Sequence, residues 1–567
     1  MRSKVCVIVV VVALAVTLSL AQENQGIAHK DTRLVSRGDV FCFACVTGLD
    51  AIILKRRVFK LKDGKVQKHL YVLCDTFGAL VYDPAVCRGM VDIHLNMILF
   101  LIDNKKDVKG SDACGLLLQN FKCFNSEVSR WSVDVPKGKS PPKKLGDSSR
   151  EPLKVLHVTD IHYDPHYEAG SLATCRRPMC CNRDSGKVKN VADAAGFWTD
   201  YRECDVPARL ITETFKHIRK NNKLDYIYFT GDIISHRIWE TSVEGNKRDI
   251  KFIMSEFKKQ FGDIPVYPIL GNHEPHPLNL FAPDGLKNTE FSTQWLFDYS
   301  AEMWSDWLPE NTKETIRRGG FYTVLVRPGF RIVALNSNVA YTLNAWLLYD
   351  DVDMYGQLEW FAKTLEKAEE AGESVHVLSH IPSGDEYTYS PWGREFTRIV
   401  LRFSNTITGM FNGHTHFDEL NIYHDGKDAT NVAFNGGSLT PFSDVNPNYK
   451  IFDIDSINFD ILDYHTWIFN VTEANRKQTP PEWYKLYSFK KEYGVKDMSG
   501  KEVFDLIKRM VNSSTLRQTY FENKVRVGDA ALAKGCDEDC HKNNICNMLT
   551  AEYSNRTLCN KLTKNIY

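Results

Sequence analysis

The chain has 567 residues, of which 43% are hydrophobic and 12% aromatic, and this apolar content excludes a largely disordered protein. At about 150 residues per domain, the length predicts several domains. The 71 Lys and Arg residues equal the 71 Asp and Glu residues in number, so no overall positive charge attracts a polyanion, and we predict no nucleic-acid partner.

Residues 1–21 have the pattern of a secretory signal peptide. Arg2 and Lys4 precede an apolar run over residues 5–20, and Ala21 ends a small-residue cleavage site. The run is shorter than the roughly 20 residues that a membrane-spanning helix needs. An uncleaved anchor is the alternative, which the polar residues 22–24 disfavour. No later run is long and apolar enough, so we predict no transmembrane segment in the mature chain.

The cysteine count predicts an oxidising compartment. Cys6 lies in the predicted signal peptide, so 15 − 1 = 14 cysteines remain, and an even number in a secreted chain predicts that all are paired in disulfides. They form three even-numbered groups: Cys42, Cys45, Cys74, Cys87, Cys114 and Cys123; Cys175, Cys180, Cys181 and Cys204; and Cys536, Cys540, Cys546 and Cys559. N-glycosylation sequons occur at Asn470, Asn512 and Asn555. We predict a glycoprotein that is secreted, lysosomal or both.

Residues 37–127 combine the first cysteine group with apolar residues at helical spacing, such as Val91, Leu95, Ile98 and Ile102. Spacing alone leaves 15 connectivities for six cysteines. The C-x-x-C opening, the central pair and the closing pair resemble the saposin B-type fold, which implies four or five amphipathic helices that engage lipid. It also implies three bridges: Cys42 with Cys123, Cys45 with Cys114, and Cys74 with Cys87. The alternative is a disulfide-linked helical domain that serves as a spacer and does not contact lipid.

Residues 128–152 are predicted to be a linker. The stretch 136–144 reads Pro-Lys-Gly-Lys-Ser-Pro-Pro-Lys-Lys, which cannot form a core and favours an extended, flexible connection. We expect its lysines to be solvated; attraction to anionic headgroups is the alternative.

Residues 153–470 alternate between β-type runs and helical stretches, which predicts an α/β sandwich with its site at the strand ends. The predicted strands are 153–158, 226–229, 266–270, 375–378 and 407–411, and the clearest helical stretches are 207–220, 249–261 and 356–371. Residues 471–567 are predicted to form a helical C-terminal region that contains the last cysteine group.

The five β-type runs end in side chains that bind metals. These residues are Asp160 and His162, Asp232, Asn272 and His273, His380, and His414 and His416. Alternate residues on a strand end point the same way, so Asp-x-His and His-x-His each present two ligands on one side. Carboxylate, amide oxygen and imidazole together favour two divalent ions, Zn²⁺ foremost. Any one of these histidines alone is more often structural.

In this order the motifs resemble the calcineurin-like metallophosphoesterase superfamily. The resemblance implies two packed mixed sheets flanked by helices. It also implies two ligand sets: Asp160, His162, Asp232 and His416 on one metal, and Asp232, Asn272, His380 and His414 on the other, with Asp232 bridging. Iron-containing purple phosphatases have a tyrosine ligand three residues after the bridging aspartate, where this chain has Ser235. We therefore predict two Zn²⁺ per chain.

Several further stretches are similar to the acid sphingomyelinases, namely 157–164, 175–181, 197–198, 204–205 and 271–274, together with the cysteine-bearing tail. The similarity implies four local bridges: Cys175 with Cys180, Cys181 with Cys204, Cys536 with Cys540, and Cys546 with Cys559. A structural zinc site is the alternative for the second cysteine group. Some members have a further disulfide where Ala340 and Glu386 stand here, and its absence is expected to loosen the substrate rim.

The reaction implied by this resemblance is hydrolysis of sphingomyelin, or a related ceramide phospholipid, to ceramide and phosphocholine by in-line attack of a metal-bridging hydroxide. The ceramide alkoxide is a poor leaving group, so a proton donor is required. His273 and His236 are the predicted donors, with a structural role as the alternative for each. Trp198, Tyr163 and Tyr387 are candidates for a headgroup pocket or for ordinary packing.

Two other functions are consistent with the same sequence features. A secreted phosphodiesterase for nucleotides or other soluble phosphodiesters would share the chemistry but would not need a saposin-like domain. A non-enzymatic lipid-binding protein would be expected to have broken ligand positions, and all seven positions are intact. We predict a monomer whose partner is a sphingolipid in membranes or lipoprotein surfaces, engaged through the saposin-like domain.

Overall fold

The computed structural model describes residues 37–76, 83–119, 123, 131–138, 146–564 and 566. The predicted signal peptide and the lysine- and proline-rich residues 139–145 of the linker lie outside the described residues. The described chain has an N-terminal helical region, a central pair of sheets and a C-terminal region rich in helices. The predicted fold class is confirmed.

Disulfides hold together the helices of the N-terminal region. The described helices there are Arg37–Arg57, Asp63–Thr76, Pro84–Asn104 and Gly110–Leu117. The three bridges are Cys42–Cys123, Cys45–Cys114 and Cys74–Cys87, the pairs that the saposin resemblance implies. Helix Pro84–Asn104 begins with proline in its first turn, where its missing N–H is not needed, and the Asp83 carboxylate accepts from Ala85 N at 3.0 Å.

Helix Pro84–Asn104 has the length and apolar composition of a membrane-spanning segment, and it is the one described helix that has them. A core helix of a soluble protein has the same properties, so composition alone is weak evidence. Its side chains have protein partners in this structure: Met97 and Leu101 pack in a buried cluster with Leu280 and Trp346 of the central domain. The absence of a transmembrane segment stays a prediction.

The central domain contains two six-stranded sheets. The strands are β1 Leu153–Val158, β2 Tyr226–Phe229, β3 Val266–Pro268, β4 Tyr322–Arg327, β5 Phe330–Ala334, β6 Ser374–Leu378, β7 Ile407–Asn412, β8 Leu420–His424, β9 Ala429–Asn435, β10 Asn448–Ile454, β11 Ile461–Ile468 and β12 Tyr484–Ser488. The first sheet has the order β12-β11-β10-β1-β2-β3, and the second has the order β4-β5-β6-β7-β9-β8. β1, β2 and β3 are parallel neighbours, as are β5, β6, β7 and β9. Both sheets are mixed, since the remaining pairs are antiparallel.

The two sheets pack face to face through buried aromatic side chains. The ring of Tyr228 on β2 lies 4.9 Å from that of Phe411 on β7, and Phe411 lies 5.0 Å from Phe452 on β10. The Tyr228 hydroxyl also makes a 2.8 Å hydrogen bond to His376 Nδ1 on β6. Both β2 and β7 are buried along their whole length. For this reason β2, with the sequence Tyr-Ile-Tyr-Phe, appears as a continuous apolar run rather than an alternating pattern.

Helices flank the sheets and form most of the C-terminal region. Those of the central domain are Ala208–Asn221, Val243–Phe261, Gln294–Met303, Lys313–Gly319, Gln357–Glu370 and Ser390–Arg402. Those that follow are Val471–Lys477, Phe489–Tyr493, Gly500–Val511, Ser514–Lys524, Asp529–Lys534, Glu538–Met548 and Thr557–Leu562. Short 3₁₀ turns lie at Val191–Asp193, Asp284–Leu286, Trp304–Asp306, Glu310–Thr312, Ser337–Ala340, Ala345–Leu348 and Met354–Gly356.

Two details differ from the sequence expectations. The helix expected from residue 249 begins at Val243, because the Ser242 hydroxyl caps it by accepting from Gly245 N at 3.1 Å. The C-terminal region is not purely helical, since β12 joins the first sheet beside β11. The remaining four bridges are Cys175–Cys180, Cys181–Cys204, Cys536–Cys540 and Cys546–Cys559, the pairs implied by the resemblance.

The described ends of the linker lie against the central domain. Val133 is buried, and its N–H donates to Glu395 Oε2 at 3.0 Å. At the other end, Asp147 N donates to Asp455 Oδ2 at 2.6 Å. The connection is therefore attached at both sides of residues 139–145, which the composition of the linker did not indicate.

A buried ion pair links the end of the second sheet to the first. Lys450 on β10 donates to Asp418 Oδ1 at 2.6 Å, and both side chains are nearly inaccessible to water. The hydroxyls of Thr466 and Tyr487 donate to Asp418 Oδ2 at 2.6 and 2.8 Å. The carboxylate is thus satisfied only as long as all three donors are in place.

We expect Lys450→Met to lower the free energy of unfolding by about 3–5 kcal/mol, because it leaves a buried carboxylate without its cation. The matched control is Lys154→Met. Lys154 pairs with Asp453 at 2.6 Å across β1 and β10 but is 35% exposed, so its loss should cost only about 0–1 kcal/mol. Urea unfolding measures both; equal effects would contradict the assigned role of burial.

Candidate metal centre

The carboxyl ends of β1, β2, β3, β6 and β7 meet at one edge of the two sheets and bring the predicted ligands together. Within the described residues, three groups have ligand atoms within 4.8 Å of one another: the first is Asp160, His162 and His416; the second is Asp232, His380 and His414; and the third is His162 with the two predicted proton donors, His236 and His273. Asn272 joins the second group, because its Oδ1 lies 3.1 Å from His380 Nε2 and 2.8 Å from His414 Nδ1. All seven predicted ligands are buried.

The Asp232 carboxylate lies between the two groups. Its Oδ2 is 3.5 Å from His162 Nε2 in the first group and 3.1 Å from His380 Nε2 in the second. A single carboxylate oxygen with imidazole nitrogens of both groups around it has the position of a bridging ligand.

Backbone carbonyls orient three of the histidines. The Nδ1 atoms of His162, His380 and His416 lie 2.7, 2.6 and 3.1 Å from the carbonyl oxygens of Ile234, Thr230 and Phe442, respectively. A carbonyl only accepts, so each Nδ1 carries the proton and each Nε2 presents its lone pair to the centre, as in metal-binding histidines. The Nε2 atoms of His162 and His416 are only 3.1 Å apart. Two facing lone pairs favour a cation between them.

Left-handed backbone turns the ligands inward. The φ angles of Asp160, His162, Asp232, His414 and His416 are 48°, 47°, 59°, 74° and 63°, a region that residues other than glycine rarely adopt. Such strain persists where the surrounding structure over-determines it, and it clusters at functional sites. Here each strained residue lies two to four residues after the end of a strand, where the chain must leave the sheet and still direct its side chain to the centre.

Two glycines allow the close approach of these turns. A Cβ atom at Gly271 would lie 2.1 Å from Asp232 Oδ1, and one at Gly413 would lie 2.3 Å from the hydroxyl of Thr159. No side chain fits at either position. The glycines of the Gly-Asn-His and Gly-His-x-His motifs are therefore required by the packing of the ligand loops.

The buried carboxylates of the site are stabilised by nearby positive charge. Burial alone would raise the pKa of Asp232, but the imidazole of His380, through its charge and its hydrogen bond, holds it well below its usual range. Burial alone would lower the pKa of His162 and of His380, but the surrounding carboxylates raise both to about 9. Imidazoles that are drawn to take up protons mark a centre whose carboxylates need cations. The donor set therefore fits two divalent metal ions.

His236 lies beside the centre and has a carboxylate partner. Its Nδ1 is 2.9 Å from Asp205 Oδ1, and its backbone N–H donates to Asp205 Oδ2 at 2.6 Å. The His236 ring stacks between His162 at 4.1 Å and Phe442 at 4.0 Å. This arrangement fixes the ring and directs its Nδ1–H to the carboxylate. Burial lowers the pKa of His236, and Asp205 opposes that effect.

His273 also lies beside the centre, next to His236, but its ring has no hydrogen bond to a carboxylate among the described residues. Its ring is 4.6 Å from that of His162 and 4.8 Å from that of His236. Its Nδ1 is buried and has no hydrogen-bond partner among the residues that the structure describes. Burial lowers its pKa to about 3. Asp232 and Asp205 oppose the effect of burial on His273 through space, but among the described residues His236 is the predicted donor whose ring hydrogen-bonds to a carboxylate.

Sequence reasoning missed the roles of Asp205 and Glu274. Glu274 is buried and accepts hydrogen bonds from the backbone N–H groups of Gly271, Asp232 and Ile233, so it ties the β2 and β3 turns together. Asp205 is separated from His236 by 31 residues, and spacing carries no signal for such a pair. The bridge of the adjacent Cys204 and the family similarity of residues 204–205 marked this segment in the sequence, but neither indicated the partner of Asp205.

The aromatic headgroup candidates lie in different surroundings. Trp198 is buried in the main core, and Tyr163 stacks on Phe252 at 4.4 Å. Tyr387 lies closer to the site, because it contacts Tyr341, whose ring is 5.1 Å from that of His414. A headgroup role for any of them stays a prediction.

The loops at the substrate rim are connected without a disulfide. Thr342 N donates to Tyr387 O, and Tyr389 N donates to Ala340 O, each at 2.7 Å. These backbone hydrogen bonds join the same two loops in which Ala340 and Glu386 replace the cysteines of some acid sphingomyelinases. The expected loosening of the rim is thus opposed by a short β-bridge.

Comparison with known proteins agrees with this geometry. Residues 153–418 match the calcineurin-like phosphoesterase family, and residues 431–565 match the acid sphingomyelin phosphodiesterase C-terminal region. A sphingomyelin phosphodiesterase of Bos taurus is 35% identical over 84% of this chain and 77% of that protein. The chain belongs to the sphingomyelin phosphodiesterase family. Its prediction as an enzyme of this family is confirmed.

Two other members of the sphingomyelin phosphodiesterase family show how far the similarity extends. The Homo sapiens sphingomyelin phosphodiesterase is 32% identical over 84% of this chain and 76% of that protein. Sphingomyelin phosphodiesterase 2 of Caenorhabditis elegans is also 32% identical, over 93% of this chain and 88% of that protein. The metallophosphoesterase fold and its two ligand groups indicate a dimetal site.

We expect Asp205→Asn to lower kcat by about 10²- to 10⁴-fold if His236 is the proton donor, because the amide cannot stabilise the imidazolium. Asp164→Asn is the matched control. Asp164 is also buried, and burial raises its pKa to about 7, but its side chain hydrogen-bonds to the Asn182 amide and the His166 N–H rather than to His236. Steady-state kinetics on a phosphodiester substrate checks both variants; equal losses would contradict a specific role of Asp205.

The pH profile is the second measurement on the same pair. A donor must be protonated to act, and burial lowers the pKa of His236, so kcat/KM should fall as pH rises through that lowered value. Bound cations would lower it further. Because Asp205 raises the pKa of His236 against the effect of burial, Asp205→Asn should move this fall in kcat/KM to lower pH. A fall at the same pH in wild type and variant would contradict the assignment of His236 as the donor.

Proposed function

We propose that this chain is a zinc-dependent phosphodiesterase that hydrolyses sphingomyelin, or a related ceramide phospholipid, to ceramide and phosphocholine. The observation that carries the proposal is the Asp232 carboxylate between two ligand groups, in a chain related over most of its length to sphingomyelin phosphodiesterases. The substrate follows from those relatives, and the reaction class follows from the centre.

The metal assignment follows from the donors. One ion would be held by Asp160, His162, Asp232 and His416, and the other by Asp232, Asn272, His380 and His414. Imidazole-rich sets with carboxylate and amide oxygens favour Zn²⁺ among divalent ions. When bound, such a pair lowers the pKa of a water nucleophile and neutralises charge on the phosphoryl oxygens.

The proton donor in this proposal is His236. Its Nδ1–H is held by Asp205, so its Nε2 is the atom that delivers a proton to the leaving ceramide oxygen, and the carboxylate stabilises the charged ring beforehand. His273 lies beside it and, in this assignment, contacts a phosphoryl oxygen. Phe442 covers the outer face of the His236 ring and keeps its orientation when the proton has left.

The N-terminal region supports a lipid substrate. At the end of helix Arg37–Arg57, the side chains of Leu54, Val58 and Phe59 are 54%, 62% and 70% exposed. Exposed Lys55 and Lys60 flank them. An apolar tip with basic neighbours is suited to the interface of a bilayer with anionic lipids. We call Leu54, Val58 and Phe59 the apolar tip and propose that it docks on the membrane that contains the substrate.

The same region also packs against the central domain near the site. Val86 lies in a buried cluster with Ile238 and Trp239, which follow His236 in the chain. Arg177 Nε donates to Asp83 Oδ2 at 3.2 Å across the same boundary. Deletion of the whole region would uncover these side chains, so substitutions on the apolar tip give a sharper test of docking than deletion does.

A secretory-pathway residence, secreted or lysosomal, is proposed from the seven disulfides. Of the three sequon asparagines, Asn512 and Asn555 are exposed. Asn470 instead caps helix Val471–Lys477 through its Oδ1, and its Nδ2 donates to Asp529 at 3.2 Å. A glycan on Asn470 would replace the contact with Asp529 but keep the cap.

Product analysis tests the function. Purified wild-type protein should release phosphocholine from sphingomyelin, contain about two zinc ions per chain, and lose activity on chelation with recovery on zinc addition. His273→Ala should retain both metals but lose about 10²- to 10³-fold in kcat, the usual cost of removing one hydrogen-bond donor to the transition state. Metal-free protein with undiminished activity would overturn the metal proposal. Hydrolysis of nucleotide diesters without release of phosphocholine would favour the soluble-substrate rival.

The docking proposal is tested on vesicles. We expect Val58→Ser with Phe59→Ser to lower hydrolysis of vesicle-borne sphingomyelin at least about tenfold, since each buried CH₂ contributes about 0.8 kcal/mol, and to leave a soluble chromogenic phosphodiester unaffected. Ile457→Ser is the control, because Ile457 is an exposed apolar residue of the central domain, 62% accessible. Unchanged vesicle activity in the double variant would refute docking through the tip.

A further inference from the structure

A buried arginine of the C-terminal region reaches the back of the metal centre. Arg526 follows helix Ser514–Lys524, and its side chain is 0% exposed. The φ angles of Arg526 and Val527 are 53° and 46°, both in the rarely occupied left-handed region. The side-chain amide of Asn446 donates to the carbonyl oxygens of both residues, at 3.0 and 3.2 Å, and holds this turn against the central domain.

All three nitrogens of the Arg526 guanidinium donate hydrogen bonds to residues next to the metal centre. Nη1 donates to the carbonyl oxygen of His416 at 2.6 Å, Nε donates to that of Asn446 at 2.5 Å, and Nη2 donates to Ser438 Oγ at 3.0 Å. No ion pair of Arg526 is formed with any described residue. A buried guanidinium costs free energy unless its hydrogen bonds are met, and here backbone and hydroxyl acceptors next to the centre meet them.

The contact of Arg526 with His416 holds the backbone of a residue whose ring is already held by another hydrogen bond. The His416 ring is oriented by Phe442, whose carbonyl accepts from Nδ1 at 3.1 Å. Its backbone has a φ of 63°, and its carbonyl is the one that Arg526 holds. With both ends anchored, Nε2 of His416 stays 3.5 Å from Oδ1 of Asp160.

The contact with Ser438 extends to Asp160, a second ligand of the same group, and to the Asp205 carboxylate. Ser438 Oγ donates to the carbonyl oxygen of Thr440 at 2.6 Å. Thr440 N in turn donates to the carbonyl oxygen of Asp160 at 3.1 Å, and the Thr440 hydroxyl donates to Asp205 Oδ1 at 3.0 Å. One side chain thus supports the turn of a metal ligand and the carboxylate that orients His236.

A glycine beside Arg526 leaves room for the guanidinium. Gly437 has a φ of 82°, and a Cβ atom there would lie 2.6 Å from Arg526 Nη1 and 2.3 Å from Asn448 Oδ1. Any other residue at position 437 would push the guanidinium away from His416.

We propose that Arg526 is a positioning residue of the metal centre: it holds the His416 carbonyl and residues 438–440 so that the ligand loops keep their metal-binding geometry. The C-terminal region is then a part of the active site rather than an appended domain. This inference rests on the proposed dimetal function and adds to it a residue that touches neither metal nor substrate.

Arg526→Met and Arg526→Lys test the proposal in the full-length protein. Methionine removes the charge and all donors, and lysine keeps the charge but not the three-way contact. Arg517→Met and Arg517→Lys are matched controls, since Arg517 is 8% exposed in helix Ser514–Lys524 and donates to the carbonyl oxygens of Met510 and Val511, within the same region. The readouts are zinc per chain, the half-time of zinc release to a chelator, thermal stability, and kcat and KM on a soluble phosphodiester.

We expect Arg526→Met to release zinc at least about tenfold faster than wild type, as loss of a partner of a metal ligand typically does to affinity. Its kcat should fall more than its KM changes, and Arg526→Lys should recover part of both losses. The Arg517 variants should lose thermal stability but release zinc at the wild-type rate.

Zinc release at the wild-type rate in both Arg526 variants would overturn the proposal and leave a purely structural role. If Arg526→Met does not fold, Arg526→Lys and Ser438→Ala decide the question. Lysine keeps the charge but cannot make all three contacts, and alanine removes the Ser438 hydroxyl while leaving the contacts of Arg526 with His416 and Asn446. Normal zinc release in both variants overturns the proposal. A wild-type chain that binds no zinc would refute the proposed function and this inference with it. Failure confined to the variants refutes only the inference.

Discussion

Two buried carboxylates, Asp160 and Asp232, set the requirements for the rest of this molecule. Each lies at the end of a strand, away from water, and a charge in that position is tolerated only with cations or donors around it. Their field raises the pKa of His162 and His380 to about 9. A centre of this kind is stable when positive charge is supplied, and the surrounding histidines are placed to share metal ions with the carboxylates.

The geometry of the metal centre depends on contacts from outside the two sheets. The ligand turns have left-handed backbone, and they keep it because hydrogen bonds from distant parts of the chain meet them. Glu274 ties the β2 and β3 turns together, the Phe442 carbonyl orients His416, and Arg526 holds that residue from behind. The C-terminal region therefore contacts the site from behind, in addition to the strands that carry the ligands.

The two histidines beside the centre have different surroundings, and this difference separates their chemistry. His236 has a carboxylate and two stacking rings, whereas His273 has a buried nitrogen without a partner among the described residues. A proton donor needs its charged form to be stable enough to exist, and a carboxylate partner provides that. The N-terminal region adds a second level of organisation, since it packs beside the His236 segment and exposes an apolar tip at its far turn.

The sequence by itself determined the fold class, the family and the set of candidate ligands, because strand-end motifs such as Asp-x-His and Gly-His-x-His are local and their order along the chain is informative. It also indicated the cysteine groups, since even counts within short segments favour local bridges. The tertiary structure alone decided which distant groups meet. Asp205 pairs with His236, Arg526 with the His416 carbonyl, and Lys450 with Asp418, and each pair is brought together by packing rather than by spacing. The strand β12 in a region expected to be helical has the same cause, since pairing with β11 outweighs local preference. Contacts between residues far apart in the chain leave no periodic signal, and for that reason the residues that orient the site became visible only in the folded chain.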